Sequence, residues 1–230
     1  MGLTPRRGKI QKRPVGKLPI HSRPLSQSPA ILKFLKAGKQ TKVTRVVRQF
    51  ANRFPGNDLK AVQALVNAIS KFPRKKFTIN DLSDIYLKRT AEQIIKDNFV
   101  AVVHGENLGT YAAIAGCVDY NLVVCAALRA KGIPAKFVRA GLHSTTHFFI
   151  GNKWYEMDPT NVIVRSFAKR MKRLGKIVPE GNLPELIEPL SESQLRTYSK
   201  HRGMGLAAEG FDAWAIGMRS LKDFKKFDKG

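Results

Sequence analysis

Residues 116–138 read GCVDYNLVVCAALRAKGIPAKFV, and residues 147–160 read HFFIGNKWYEMDPT. In the first stretch Tyr120, Val123, Val124, Ala127 and Leu128 recur at helical spacing, one apolar face of a 3.6-residue period. The pattern stops at Lys131-Gly132, with Pro134 beyond, as helices stop. Lys136–Ala140 then reads as a strand. His147–Ile150 and Lys153–Asp158 read as two more, joined by Gly151-Asn152, a two-residue hairpin signal. A cysteine-bearing helix followed by short antiparallel strands predicts an α+β fold.

Cys117 directly follows Gly116 at the expected start of that helix. Free backbone N–H groups and the helix dipole there would favour a thiolate and a developing oxyanion. On position alone it is equally a nucleophile or a buried structural cysteine. Cys125 lies about 12 Å further along the same helix, too far for a disulfide with Cys117, and reads as a small core residue. A Gly151-Asn152 turn pairs Ile150 with Lys153 and so His147 with Glu156. His147, Glu156 and Asp158 then share one face, with Asp158 a diagonal neighbour of His147 at roughly 7–8 Å between Cα atoms. A carboxylate there would fix the imidazole tautomer and favour its charged form; the imidazolium would hold Cys117 as thiolate. A surface hairpin with an incidental histidine and acid fits the same periodicity.

These stretches resemble the core of the transglutaminase-like superfamily. The resemblance implies a papain-like arrangement, a helix carrying the cysteine packed on antiparallel strands that carry histidine and aspartate. It assigns Cys117, His147 and Asp158, the last in the Asp158-Pro159-Thr160 motif, as nucleophile, general base then acid, and orienting carboxylate. Arg129–Ala135 and Trp154 also match the family's habits. Leu87–Ile95 resembles the helix that precedes the cysteine in microbial members, and residues 211–220 resemble a later segment of such members more weakly. The well-matched part is residues 85–160. The interval before Cys117, with extra residues around 99–115, is longer than the family pattern. No upstream oxyanion-stabilising side chain stands out; His104, Asn107 and Tyr111 qualify by side-chain chemistry only, which leaves the Cys117 backbone N–H. Residues 99–116 are also candidates for a lid.

Several residues compete for these roles. His143 competes with His147, and the hairpin and the resemblance both favour His147, leaving His143 to a loop or the substrate's vicinity. Glu156 competes with Asp158, and the motif favours Asp158. Asp119 reads as a hydrogen-bonding or dipole-complementing residue of the first helical turn, and Trp154 as packing behind the hairpin. Gly203 and Gly205 lack the context of a phosphate cradle. No closely paired ligand motif supports a metal, no acid-rich loop suits calcium, and the chemistry needs no cofactor.

The rest of the chain bounds the answer. Its 230 residues carry 41 Lys plus Arg against 17 Asp plus Glu, with 43% hydrophobic residues, enough for a sizeable core. Two cysteines make no disulfide scaffold; with no apolar run long enough for a membrane span or a secretory signal, a cytoplasmic protein is expected. Residues 1–76 hold 19 basic residues and one acid, Asp58, a balance of +18; residues 77–230 hold 22 and 16, a balance of +6. The expected organisation is a basic, Pro- and Gly-rich disordered arm at 1–30, a basic helical hairpin at 31–76 capped by Thr41 and by Asn57 or Asp58, and a catalytic domain at 77–230. That domain opens with a helix from Asn80 or Asp81 to Asp97, and residues 161–230 read as helical and loop-rich. The function expected is thiol-dependent acyl transfer on a peptide or carboxamide through a Cys117 thioester, with protease-like hydrolysis favoured over transglutamination. The alternative is a nucleic-acid or polyanion binder that uses this scaffold with residues 1–76.

Overall fold

The computed structural model describes residues 28–78, 85, 87–103, 111–140, 143–159, 187–195, 207–220 and 223. Most of the basic arm, most of the segment expected to be helical over 80–86, His104, Asn107, Thr160, Gly203 and Gly205 lie outside the described residues, as does most of 161–206.

A helical turn, α1 (Pro29–Leu32), leads to α2 (Arg45–Asn52) and α3 (Leu59–Ile69). Asp58 caps α3 as expected, its carboxylate accepting from Ala61 N at 2.8 Å. The cap of α2 is Thr44 rather than Thr41. Thr41 is buried and serves elsewhere, its hydroxyl accepting from Arg129 Nη1 at 2.5 Å. Strand β1 (Arg74–Phe77) pairs in parallel with β2 (Val100–Val103). Between them lies α4 (Ala91–Asp97), which opens at a capping box of Thr90 and Gln93. A continuous helix from 80 to 97 is thus corrected: Leu87 stands at φ 66°, a left-handed conformation that interrupts an α-helix, and Thr90 starts a new one.

The long helix α5 (Tyr111–Ala130) ends before Gly132, whose φ of 74° needs glycine's freedom. It packs on a five-stranded antiparallel sheet in the order β6-β5-β4-β3-β7. The strands are β3 (Ala135–Ala140), β4 (His143–Ile150), β5 (Lys153–Met157), β6 (Ile187–Pro189) and β7 (Ala207–Gly210). The hairpin register is the expected one, with Ile150 opposite Lys153 and His147 opposite Glu156. Gly151 and Asn152 have φ of 57° and 62°, the two left-handed residues of a tight hairpin turn. Strands β6 and β7, from the part expected to be helical and loop-rich, close both edges. One buried cluster unites Val47 and Phe50 of α2, Leu65 and Ile69 of α3, Leu122 and Leu128 of α5, and Phe137 and Phe148 of the sheet.

Arg129, near the end of α5, ties distant segments to this core. Its guanidinium donates to the carbonyls of Phe34 at 3.0 Å, Ala135 at 2.7 Å and Phe211 at 2.8 Å. Burial pushes its pKa down, against the smaller opposing pull of Cys125 and Asp212. Replacing Arg129 strands several buried acceptors, each worth about 1–3 kcal/mol when left unmade. Arg129→Met is expected to lose at least about 3 kcal/mol in urea denaturation. Arg129→Lys should lose most of that, because an ammonium cannot reproduce the planar fork. Wild-type stability in either variant would contradict this role.

Candidate active site

Cys117 is buried and lies within α5, six residues after the helix begins at Tyr111. Its expected place at the helix N-terminus is therefore corrected. The Cys117 amide falls within the i→i−4 ladder and is not a spare oxyanion donor. Residues 111–116, Tyr-Ala-Ala-Ile-Ala-Gly, extend the helix backwards, and at Gly116 the helix passes close to β2, where a side chain would meet Val102 at 3.3 Å. What acts on the thiol comes from the sheet. Burial pushes the Cys117 pKa up, but a hydrogen bond from His143, the charges of His143 and Arg139, and the Ser144 backbone N–H outweigh it, and the thiol is held below its ordinary value.

His143 opens β4, and its Nε2 lies 2.6 Å from Asp158 Oδ2. That leaves Nδ1 for the hydrogen bond with Cys117. Burial disfavours the charged ring, yet hydrogen bonds with Asp158 and Cys117 and their charges prevail, raising the His143 pKa to about 10. The structure thus joins Cys117 and Asp158 through His143, and the expected placement of His147 beside Cys117 is corrected. Parity explains both the expectation and its failure. Met157 pairs with Thr146, which sets Asp158 across from Thr145, with His143 and His147 as its two diagonal neighbours. Position along the helix decides between them. Asn121 Nδ2 bridges the carbonyls of Cys117 and Ser144, 2.7 Å from each, so Cys117 meets the start of β4. His147 lies about 13 Å further along the strand.

His147 belongs to a different row, Lys136–His147–Glu156–Glu188, which crosses β3, β4, β5 and β6 in register. Its Nε2 is 3.9 Å from Glu156 Oε1. Burial, helped by the positive charge of Lys136, pushes its pKa down to about 3, so the ring is neutral at physiological pH. Trp154 packs edge-on against Phe34 and Phe149, with centroids 5.8 and 5.4 Å away, behind the hairpin as expected.

The two thiols differ in environment. Burial pushes the Cys125 pKa up, only partly offset by Arg129 and by Thr146, whose hydroxyl lies 3.4 Å from Cys125 Sγ. Thr146 also donates to Asn121 Oδ1 at 2.7 Å. Asp119 lies beyond the first turn of α5, so its dipole role falls away and its hydrogen-bonding role stands. It is ion-paired to Arg89 and accepts from Ala101 N at 2.8 Å, fastening α5 to β2. Tyr111 opens α5, and its side chain is outside the described residues. Among the described residues, no group of three or more His, Cys, Asp or Glu is placed to hold a metal ion, and no helix is long and apolar enough to cross a membrane.

A family model described as the transglutaminase-like superfamily matches residues 48–159. No curated protein matches the chain significantly. A similar solved structure is "a Putative Cysteine Protease from Cytophaga hutchinsonii", with 16% identity and a TM-score of 0.49. The alignment covers 84% of this chain and 51% of that one, so this chain spans about half its length.

The depressed His147 pKa has a measurable consequence. The unfolded chain binds a proton at His147 below about pH 6.5, whereas the folded chain binds it only near pH 3. Stability is therefore expected to fall on acidification through that window, by up to about 1.4 kcal/mol per pH unit from this group. His147→Gln should flatten that part of the stability profile, read by urea denaturation at each pH. An unchanged acid slope would contradict a neutral buried His147.

Proposed function

We propose, from the premise that residues 48–159 belong to the transglutaminase-like superfamily, that this chain is a thiol enzyme with Cys117 as nucleophile, His143 as acid and base, and Asp158 as the group that orients His143. The observation that carries this reading is His143 Nε2 at 2.6 Å from Asp158 Oδ2, at the start of the strand whose Ser144 carbonyl shares Asn121 Nδ2 with the Cys117 carbonyl; the His143 interaction with the thiol lowers the Cys117 pKa. The lowered thiol and the raised imidazole pKa favour a thiolate–imidazolium pair at rest. The thiolate sulfur attacks the carbonyl carbon of a peptide or carboxamide. As the C–N bond breaks, His143 gives its proton to the leaving nitrogen, and a thioester forms. Neutral His143 then takes a proton from water, the water oxygen bonds to the carbonyl carbon, and the C–S bond breaks to return the thiolate. An amine in place of water would make the same site a transglutaminase. We favour hydrolysis of a peptide or protein substrate, without a cofactor. Both cysteines are free, which suits the reducing conditions of the cytoplasm.

Turnover of a fluorescently labelled unfolded protein tests the assignment, with incorporation of a primary-amine probe measured in parallel. Cys117→Ala and His143→Ala should each lower the rate by about 10³ or more. Asp158→Asn should lower it by about 10²–10⁴, and His147→Gln by less than about threefold once folding is matched. Loss of activity in His147→Gln with retention in His143→Ala would overturn the assignment.

A second reading concerns partners. Lys71, Arg74, Lys75 and Lys76 are exposed at and before β1. Lys75 Nζ lies 5.4 and 5.3 Å from the ring centroids of Phe77 and Phe99. Cations interleaved with aromatic rings suit a single-stranded nucleic acid or another polyanion, consistent with the +18 balance of residues 1–76. Binding of a labelled single-stranded oligonucleotide should weaken steeply with salt. Deleting residues 1–30 should flatten the slope, and the triple change Arg74→Glu, Lys75→Glu, Lys76→Glu should flatten it further. Salt-independent binding, or none, would remove this reading and leave the enzyme reading intact.

A further inference from the structure

We propose that Arg139 is a positioning residue of the Cys117 site, a permanent buried cation that holds the sulfur as an anion from within the sheet. The inference rests on the thiol-enzyme reading and adds a second positive charge that does not titrate. Arg139 has no exposed surface. It sits on β3, opposite Ser144 of β4 and Ala208 of β7, in the alternation that also directs Phe137 into the core under α5. Its Nη1 donates to Ser144 Oγ at 3.2 Å. The Ser144 backbone also acts to lower the Cys117 pKa. The Ser144 carbonyl shares Asn121 Nδ2 with the Cys117 carbonyl, each at 2.7 Å. The guanidinium and the thiol are therefore positioned by the same residue, and the guanidinium charge also favours the ionised sulfur.

A buried guanidinium cannot shed its proton to escape the low dielectric, so it is best accommodated beside an anion. A thiolate at Cys117 is one anion on which its charge acts. Among the described residues, the charges that lower the Cys117 pKa are those of His143 from β4 and Arg139 from β3. Asp158 acts through its bond to His143, Asp119 on α5 is ion-paired to Arg89, and Arg129 and Asp212 act on Cys125 instead. His143 and Arg139 thus divide the work. His143 loses its charge when it protonates the leaving nitrogen. Arg139 keeps its own through both steps, and in the second it stabilises the sulfur as the C–S bond breaks and the electron pair returns to it. A thiol of lowered pKa is the faster leaving group, so Arg139 is expected to matter for thioester breakdown as well as for attack.

The test is a pH titration of the ultraviolet thiolate absorbance, with the Cys117→Ser variant subtracted. The samples are wild type, Arg139→Lys, Arg139→Met, His143→Ala and Arg129→Lys. The wild-type midpoint is expected well below that of a free thiol, about 8.5. Arg139→Met should raise it by at least about one pH unit, a tenfold smaller thiolate-to-thiol ratio below the midpoint. Arg139→Lys should fall between the two. His143→Ala should raise the midpoint, because His143 supplies the two largest causes that oppose burial. Arg129→Lys, destabilised at another buried arginine, should not move it. If Arg139→Met does not fold, Ser144→Ala decides, because it removes the hydroxyl that fixes Nη1 and is expected to raise the midpoint. A wild-type midpoint retained in Arg139→Lys and in Arg139→Met, or in Ser144→Ala where Arg139→Met does not fold, would overturn the role of Arg139 alone. A wild-type midpoint near the free-thiol value would overturn the thiolate–imidazolium reading beneath it.

Discussion

Asn121 Nδ2 donates to the carbonyl of Cys117 in its own helix and to that of Ser144 in the neighbouring strand, while Thr146 donates to Asn121 Oδ1. All three bonds are 2.7 Å long and buried, where an unmade polar contact is costly. They set the helix α5 against β4 at one register. Slipping the strand by one residue would exchange its faces and leave these groups unmatched. That register puts the first residues of β4, rather than its middle, beside Cys117. It delivers the His143 ring, the Ser144 amide and, through Ser144, the Arg139 guanidinium to one sulfur. The hairpin brings Asp158 to the far side of the same imidazole. Arg129 at the other end of α5 and the Asp119–Arg89 pair near its middle hold the helix that carries the thiol.

The same helix carries two buried cysteines whose pKa values move in opposite directions. Burial opposes ionisation of both, so burial does not distinguish them. Cys117 has a histidine hydrogen bond, a backbone amide and two nearby cations. Cys125 has a threonine hydroxyl and a guanidinium whose donors are spent on backbone carbonyls. The two histidines of β4 divide in a parallel way. Burial disfavours the charged form of both; a carboxylate and a thiol outweigh it at His143, whereas at His147 the charge of Lys136 adds to it. In each pair burial disfavours the charged form, and the hydrogen bonds and charges around Cys117 and His143 overcome it where those around Cys125 and His147 do not.

Features governed by local chemistry were legible from the residues. Asp58 caps α3, Gly132 ends α5, and Gly151-Asn152 sets a hairpin whose register follows from turn length. The α+β class was within reach of the same reasoning; the transglutaminase-like core was expected from the resemblance of residues 116–138 and 147–160, and a family model of that superfamily matches residues 48–159. What escaped depends on contacts far apart in sequence. Strand parity makes His143 and His147 equivalent neighbours of Asp158, and only the docking of α5 separates them. Residues 111–116 show no amphipathic stripe, so nothing in the sequence marks the helix start at Tyr111. Strand β1 reads Arg74-Lys75-Lys76-Phe77, with none of the apolar alternation that marks a strand, and forms because β2 offers it a partner. Arg139 gave no signal at all, since an arginine in a strand pattern ordinarily faces water.

The most direct test of the central claim is the ionisation of the His143 ring, followed by nitrogen NMR of the imidazole with assignment through His143→Gln. A ring bonded to both a carboxylate and a thiolate stays doubly protonated well above neutrality and titrates near 10. It should fall back toward about 6.5 when Cys117→Ser and Asp158→Asn are combined. The account predicts that result, with His147 remaining neutral throughout. A His143 ring that titrates near 6.5 in the wild type, with no response to those changes, would contradict it.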